Sequence, residues 1–264
     1  MASSYQVTGL VLHWRPLGEA DRLLTVLTQE RGLRRLVAPS ARKTQSPLAG
    51  RTDLFVLNTL QVRPGRSLDR ILQADTLGTF PGLIQDLARL SAAQYLGELA
   101  LWQALEDQDQ TELLHLFLSQ LRQLERVPVS QTLPVLVDSV VSLLRAAGLV
   151  PQVESCCLRG ISLDRLDWTN CGPAGFSPAL GGVVAPPLPA PDPHLYPLSR
   201  SQVHLLQALV ASQPCAASLQ TWHGVESILR RYAEYHFERP LRSARLLSQE
   251  FSQPPDPTLL SLPA

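Results

Sequence analysis

The chain has 264 residues, 45% hydrophobic and 17% charged, which suits one large or two to three small packed domains and excludes a disordered chain. No stretch approaches the roughly 18–20 uninterrupted apolar residues that cross a bilayer, and residues 1–5 lack the basic start of a secretory signal. The formal net charge of zero conceals a division: +5 up to Thr79, −4 over 80–150 and −1 thereafter, the kind of separation that marks regions with different partners.

The first eighty residues carry strand signals. Residues 6–14 are β-branched and apolar, with Gly9 placed where a strand bends or bulges. Arg15-Pro16-Leu17-Gly18 reads as a turn into a second strand at 22–28. Glu30-Arg31-Gly32 connects tightly to a third at 33–38, in which the two-residue period puts Arg34 on one face and Leu33, Arg35 and Val37 on the other. A polar loop over 41–50 leads to a fourth strand at 53–63, and Pro64-Gly65-Arg66 turns it into a fifth at 68–73. Five short strands with tight turns in this span fit a small closed barrel of the OB-fold type.

Within that barrel the stretch 31–51 holds five arginines, the chain's only lysine and no acidic residue. A dense basic stretch on a small β domain suits polyanions, since guanidinium groups bind phosphate bidentately. It also suits a strand edge guarded by charge.

From Pro81 the period turns helical. Helices are expected at 83–105, at 111–124 with Thr111 as N-cap, and at 133–147 with Pro134 in the first turn and Gly148 past the end. Glu106, Asp107, Asp109 and Glu112 gather at one connection and read as solvated loop charges. Residues 151–197 are rich in Pro and Gly and hold three of the four cysteines, too few for a disulfide framework. Helices return at 199–211, where Ser199 and Gln202 have capping-box spacing, and at 225–238. His204, set among apolar residues, reads as a core histidine, and His223 and His236 as surface groups. The expected domains are 1–79 (barrel), 80–150 and 198–253 (two parts of a helical body), 151–197 (irregular insert) and 254–264 (a frayed tail). No phosphate-binding Gly-rich loop, His-Glu-x-x-His or Gly-x-Ser-x-Gly occurs, so neither an enzyme nor a cofactor is expected. The residues alone leave open an RNA-binding barrel protein or a non-catalytic adaptor between proteins.

Several segments are similar to RecO, a family of bacterial recombination mediators: GLVLHWRPLGEADRLLTVLTQERGL (9–33), LVAPSARKTQSPLAG (36–50), TFPGLIQDLARLSAAQYLGEL (79–99), LLRAAGLVP (143–151), GFSPALGGV (175–183) and ILRRYAEYHFERPLRSARLL (228–247). They cover most of the chain in family order. The resemblance implies an α+β protein: an N-terminal five-stranded OB-fold barrel, then a helical body with a small zinc-ribbon-like insert. It implies binding of single- and double-stranded DNA and annealing of complementary strands. Its implied partners are RecR and single-strand binding protein, through the latter's acidic C-terminal tail, with RecF and the RecA recombinase engaged indirectly. A cytoplasmic, nucleoid-associated protein is the matching location. Arg31, Arg34, Arg35, Arg42, Lys43 and Arg51 are the expected DNA contacts, and Arg230, Arg231, Arg239, Arg242 and Arg245 the candidate rim of a groove for an acidic peptide. The insert departs from the family. Of the four expected metal-ligand positions only Cys156 is a cysteine, and the others are Arg159, Ala185 and Leu188. Cys157 and Cys171 stand at the wrong spacing to replace them, so no metal is expected, although a set of Cys156, Cys171 and His194 or His204 is conceivable.

Overall fold

The structure, a computed structural model, describes residues 3–168, 172–188 and 194–245. Cys171 and the expected tail at 254–264 lie outside the described residues. The chain divides into two compact units, one of residues up to Val129 together with Ser243 onward, the other Ser130–Arg242.

In the first unit, β1 (Tyr5–Leu17), β2 (Asp21–Thr28), β3 (Gly32–Ala38), β4 (Leu57–Arg63) and β5 (Asp69–Gly78) close a barrel in the order β1-β2-β3-β5-β4. All pairings are antiparallel except β3 with β5, the arrangement of a five-stranded Greek-key barrel. Alternate residues fill it, among them Val7, Val11, Leu24, Val26, Leu36, Leu60, Val62 and Ile71, all buried, while Ala41 and Leu48 of the β3–β4 connection join the same cluster.

The strand ends differ from the sequence reading for local reasons. β1 continues through Arg15 and Pro16, which pairs with Arg22, and the turn is the following Gly18-Glu19-Ala20 with Gly18 at φ +58°. Proline is tolerated there because it sits at a strand end. The bulge in β1 lies between Val11 and His13 rather than at Gly9. Gly9 is instead demanded by a close approach, since a Cβ there would lie 2.6 Å from Val26 Cγ1. β4 begins at Leu57, not Asp53, because Phe55 turns the chain with a φ of +59° and puts its ring on Phe117, centroids 6.1 Å apart.

The helices α1 (Pro81–Ile84), α2 (Leu87–Gln103) and α3 (Thr111–Arg126) complete this unit. The single helix expected over 83–105 is broken because Asp86 caps α2, its carboxylate accepting from the Arg89 amide. Asp109, not Thr111, serves the start of α3, accepting from the Thr111 amide and hydroxyl.

The second unit holds α4 (Thr132–Ala146), a small antiparallel sheet of β6 (Ala174–Ser177), β7 (Gly182–Val184) and β8 (Tyr196–Leu198) in the order β7-β6-β8, then α5 (Arg200–Val210) and α6 (Leu219–Phe237). Among the described residues, Val129–Ala146 is the one helical stretch long and apolar enough by composition to cross a membrane. Its Leu133, Leu136, Val137, Val140, Leu143 and Leu144 are buried and α4 packs against α5 and α6, as a core helix does. The capping box of Ser199 and Gln202 forms as expected. α6 starts at Leu219, ahead of the expected 225, because Ser218 caps it through the Thr221 amide.

Candidate nucleic-acid interface

Each end of the barrel is closed by an arginine, an aromatic ring and a carboxylate. At the β4–β5 hairpin end, Tyr5 donates to Asp69 at 2.5 Å and Arg34 donates to the same carboxylate at 2.8 Å and to Asp107 at 2.5 Å. Arg34 has the same parity on β3 as the buried Leu36 and Ala38, so its guanidinium covers the barrel interior. Arg31 stacks on the Tyr5 ring at 4.1 Å. Burial, then the neighbouring Asp69, pushes the Tyr5 hydroxyl up to about 12. Burial also opposes the Asp69 charge, but hydrogen bonds from Tyr5, the Gly65 amide and Arg34 outweigh it and hold that carboxyl below its usual range. At the opposite end Arg22 lies over Trp14 at 4.2 Å and donates to Asp53, Thr52 Oγ1 and the Ala49 carbonyl. This fastens the β3–β4 connection beneath the barrel.

The basic stretch is therefore divided among three places. Arg31 and Arg34 lie at the hairpin end. Arg35 projects from the outer wall of β3, with Leu33 and Val37 on its face, and its side chain makes no hydrogen bond or ion pair among the described residues. Arg42, Lys43 and Arg51 belong to the connection at the other end. Arg42 donates to the Gly18 and Glu19 carbonyls of the β1–β2 turn, Lys43 is exposed, and Arg51 bonds the Ala74 carbonyl 3.7 Å from Asp75. Asp107, expected as a solvated charge, is Arg34's second partner.

Ion pairing decides which of these charges remain. Of the eleven basic residues up to Thr79, four are matched: Arg22 with Asp53, Arg34 with Asp69, Arg51 with Asp75 and Arg70 with Asp21. That leaves Arg15, Arg31, Arg35, Arg42, Lys43, Arg63 and Arg66 without an ion pair among the described residues, against Glu19 and Glu30. Arg15, Arg63 and Arg66 lie outside the dense basic stretch of 31–51. Strand alternation could have found two of them, for Arg15 follows the inward Trp14 and Arg63 the inward Val62.

In the insert, the residues at the four expected ligand positions do not fit a zinc ion, which wants four thiolate or imidazole ligands in a tetrahedron. The Cys156 sulfur accepts from the Ala185 amide at 3.3 Å. The Arg159 guanidinium donates to the Ala185 carbonyl and, at 2.6 Å, to the Pro186 carbonyl. A side-chain cation thus joins the two loops that a metal would join. Burial disfavours the Cys156 thiolate, but the amides of Ala185, Arg159 and Leu158 and the Arg159 guanidinium outweigh it and lower the thiol below its usual value. No group of three metal-ligating residues occurs among the described residues, and Cys171 lies outside them. His204 is exposed rather than in the core, accepting from Arg200 Nε at 3.1 Å, because it falls on the outer side of α5 from the buried Val203 and Leu206. His223 and His236 are half-buried, and burial pushes both below their usual value.

The cations of the expected peptide rim are likewise unequal. Arg230 is held on α6 by Glu226 at 3.3 Å and Glu234 at 3.9 Å. Arg231 lies over the Tyr196 ring at 4.4 Å. Arg239, Arg242 and Arg245 follow α6 and are exposed.

A family model described as Recombination protein O N terminal matches residues 1–80, and one described as Recombination protein O C terminal matches residues 84–245. The chain is 43% identical to a protein named DNA repair protein RecO from Acaryochloris marina, over the full length of both. It is 45% identical to the protein of that name from Gloeobacter violaceus over 92% of each chain. Against the one from Nostoc sp. it is 39% identical over 98% of this chain and 100% of the other.

Proposed function

Because the chain belongs to the RecO family of DNA repair proteins, we propose that it works as a non-enzymatic mediator that binds single- and double-stranded DNA, anneals complementary strands and helps load recombinase onto strands coated by single-strand binding protein. RecR and the acidic tail of single-strand binding protein are its direct protein partners, and RecF and the RecA recombinase are reached through them. The observation that carries the DNA-binding part is the charge balance of the barrel. Its carboxylates are largely matched to arginines that hold the fold, so the unmatched cations face outward with little to neutralise them except phosphate. Of the residues expected from sequence, Arg35, Arg42 and Lys43 are the main DNA contacts, with Arg31 beside them. Arg34 and Arg51 serve through the barrel they stabilise. Arg239 and Arg242 supply the basic rim for the acidic peptide.

The test is a salt titration of single-strand binding. With about four phosphates neutralised, affinity falls by roughly 1.5–2 decades between about 50 and 200 mM salt. Neutral substitution of Arg35, Arg42 and Lys43 together flattens that dependence and leaves the protein folded, with the melting temperature lowered only by the loss of the exposed Arg42 bonds to the Gly18 and Glu19 carbonyls. A folded triple variant with the wild-type slope would move the contact elsewhere.

A further inference from the structure

The outer face of α6 carries a feature that the barrel does not account for and that shares only Arg231 and Arg239 with the rim candidates. Arg231 and Tyr235 are one helical turn apart, so their side chains are neighbours on one face. Tyr235 is 52% exposed, and its hydroxyl makes no hydrogen bond among the described residues. Arg231 is exposed at its edge and lies over Tyr196, itself half-buried at the start of β8. Tyr235 is braced from below: its ring meets His236 edge-on at 5.3 Å, His236 meets Tyr232 at 4.4 Å, and Tyr232 meets the buried Phe176 at 5.6 Å. Arg239 follows just past the helix end. The nearby carboxylates are Glu234, within reach of Arg230, and the exposed Glu238.

The half of the ring that faces water adds no packing to the fold. A rigid ring beside a stacked guanidinium and flanked by cations is what an unpaired nucleobase requires: an aromatic face for the base and positive charge for its phosphate. We propose that Tyr235, Arg231 and Tyr196 form a stacking platform for unpaired bases, a second DNA contact on the second unit. This rests on the DNA-binding reading given above and adds to it a source of strand selectivity. The barrel's cations meet phosphates, which single strands and duplexes both present. The α6 platform needs an exposed base face, which only a single strand offers.

The experiment compares an oligo(dT) single strand with a duplex of equal length by fluorescence anisotropy at one salt concentration. Tyr235→Ala should weaken single-strand binding by about fivefold or more, the range expected for one lost base stack, and leave duplex binding unchanged. Tyr235→Trp, which keeps a ring, should retain single-strand affinity, and Arg231→Gln should weaken it in the same selective way. Equal losses for both DNA forms, or no loss for either, overturn the platform. So does a Tyr235→Ala protein that keeps its DNA affinity but loses an acidic peptide, since the face would then be part of the peptide rim. Wild-type protein that binds neither DNA form overturns the DNA-binding reading itself.

Discussion

At the scale of single residues, charge counts mislead until ion pairs are subtracted. Arg34 looks from the sequence like the centre of a DNA site, yet its guanidinium is shared between Asp69 and Asp107 over the barrel end. Its pairing with Asp69 yields a stability prediction. The Asp69 pKa is lowered in the folded chain, so its contribution is present in full above the unfolded value of about 3.9 and is lost as pH falls through the lower folded value. Asp69→Asn should therefore cost about 2 kcal/mol at neutral pH, the scale of charge-assisted hydrogen bonds lost from Tyr5 and Arg34. The deficit should close in acid, where the wild type loses the same interaction. Urea unfolding at several pH values measures it, and a deficit constant across that range would remove Asp69 from the balance. The parity of Arg34 and Arg35 was legible beforehand from strand alternation. What Arg34 pairs with was not, because Asp69 and Asp107 lie 35 and 73 residues away.

At the scale of elements, the five strands, the interior alternation and most helices could be read from period and turn residues. The misreadings of the helix ends share a local cause: a side chain that caps the amide three residues further on. Asp86 breaks one expected helix and Ser218 lengthens another, each through a single capping bond. In the insert a side-chain bond to backbone spans two of the positions where the resemblance places metal ligands. The sequence shows that three ligand positions are lost. Only the fold shows that one of them, Arg159, reaches across to the Ala185 and Pro186 carbonyls. The purified protein should accordingly keep its melting temperature in a strong chelator, since a structural zinc would contribute folding energy directly. Arg159→Ala should cost about 1–3 kcal/mol of stability, because two buried carbonyls lose a charged donor. Stoichiometric zinc by elemental analysis, or an Arg159→Ala protein as stable as the wild type, would contradict this account of the insert.

At the scale of the whole molecule, the proposed annealing activity sets two separate demands. Complementary strands repel through their phosphates, and each is covered by single-strand binding protein when it needs to be paired. Neutralising phosphates is electrostatic and independent of sequence, and the unmatched cations of the barrel suit it. Reaching coated strands requires recognition of the coat, which for an acidic peptide means an apolar contact with a basic rim. Arg239 and Arg242 are exposed on either side of the buried Leu241, just past α6. Reversing both charges, Arg239→Glu with Arg242→Glu, should abolish annealing of coated strands, since a like charge now meets each acidic residue of the tail. It should leave annealing of bare strands within about twofold, because that activity is assigned to the cations of the barrel, which these substitutions do not touch. Annealing assays on bare and coated strands, run in parallel with the Arg35, Arg42 and Lys43 variant, give the comparison. The barrel variant should lose both activities and the rim variant only one. If the rim variant loses both, or neither, the two demands are not divided between these surfaces.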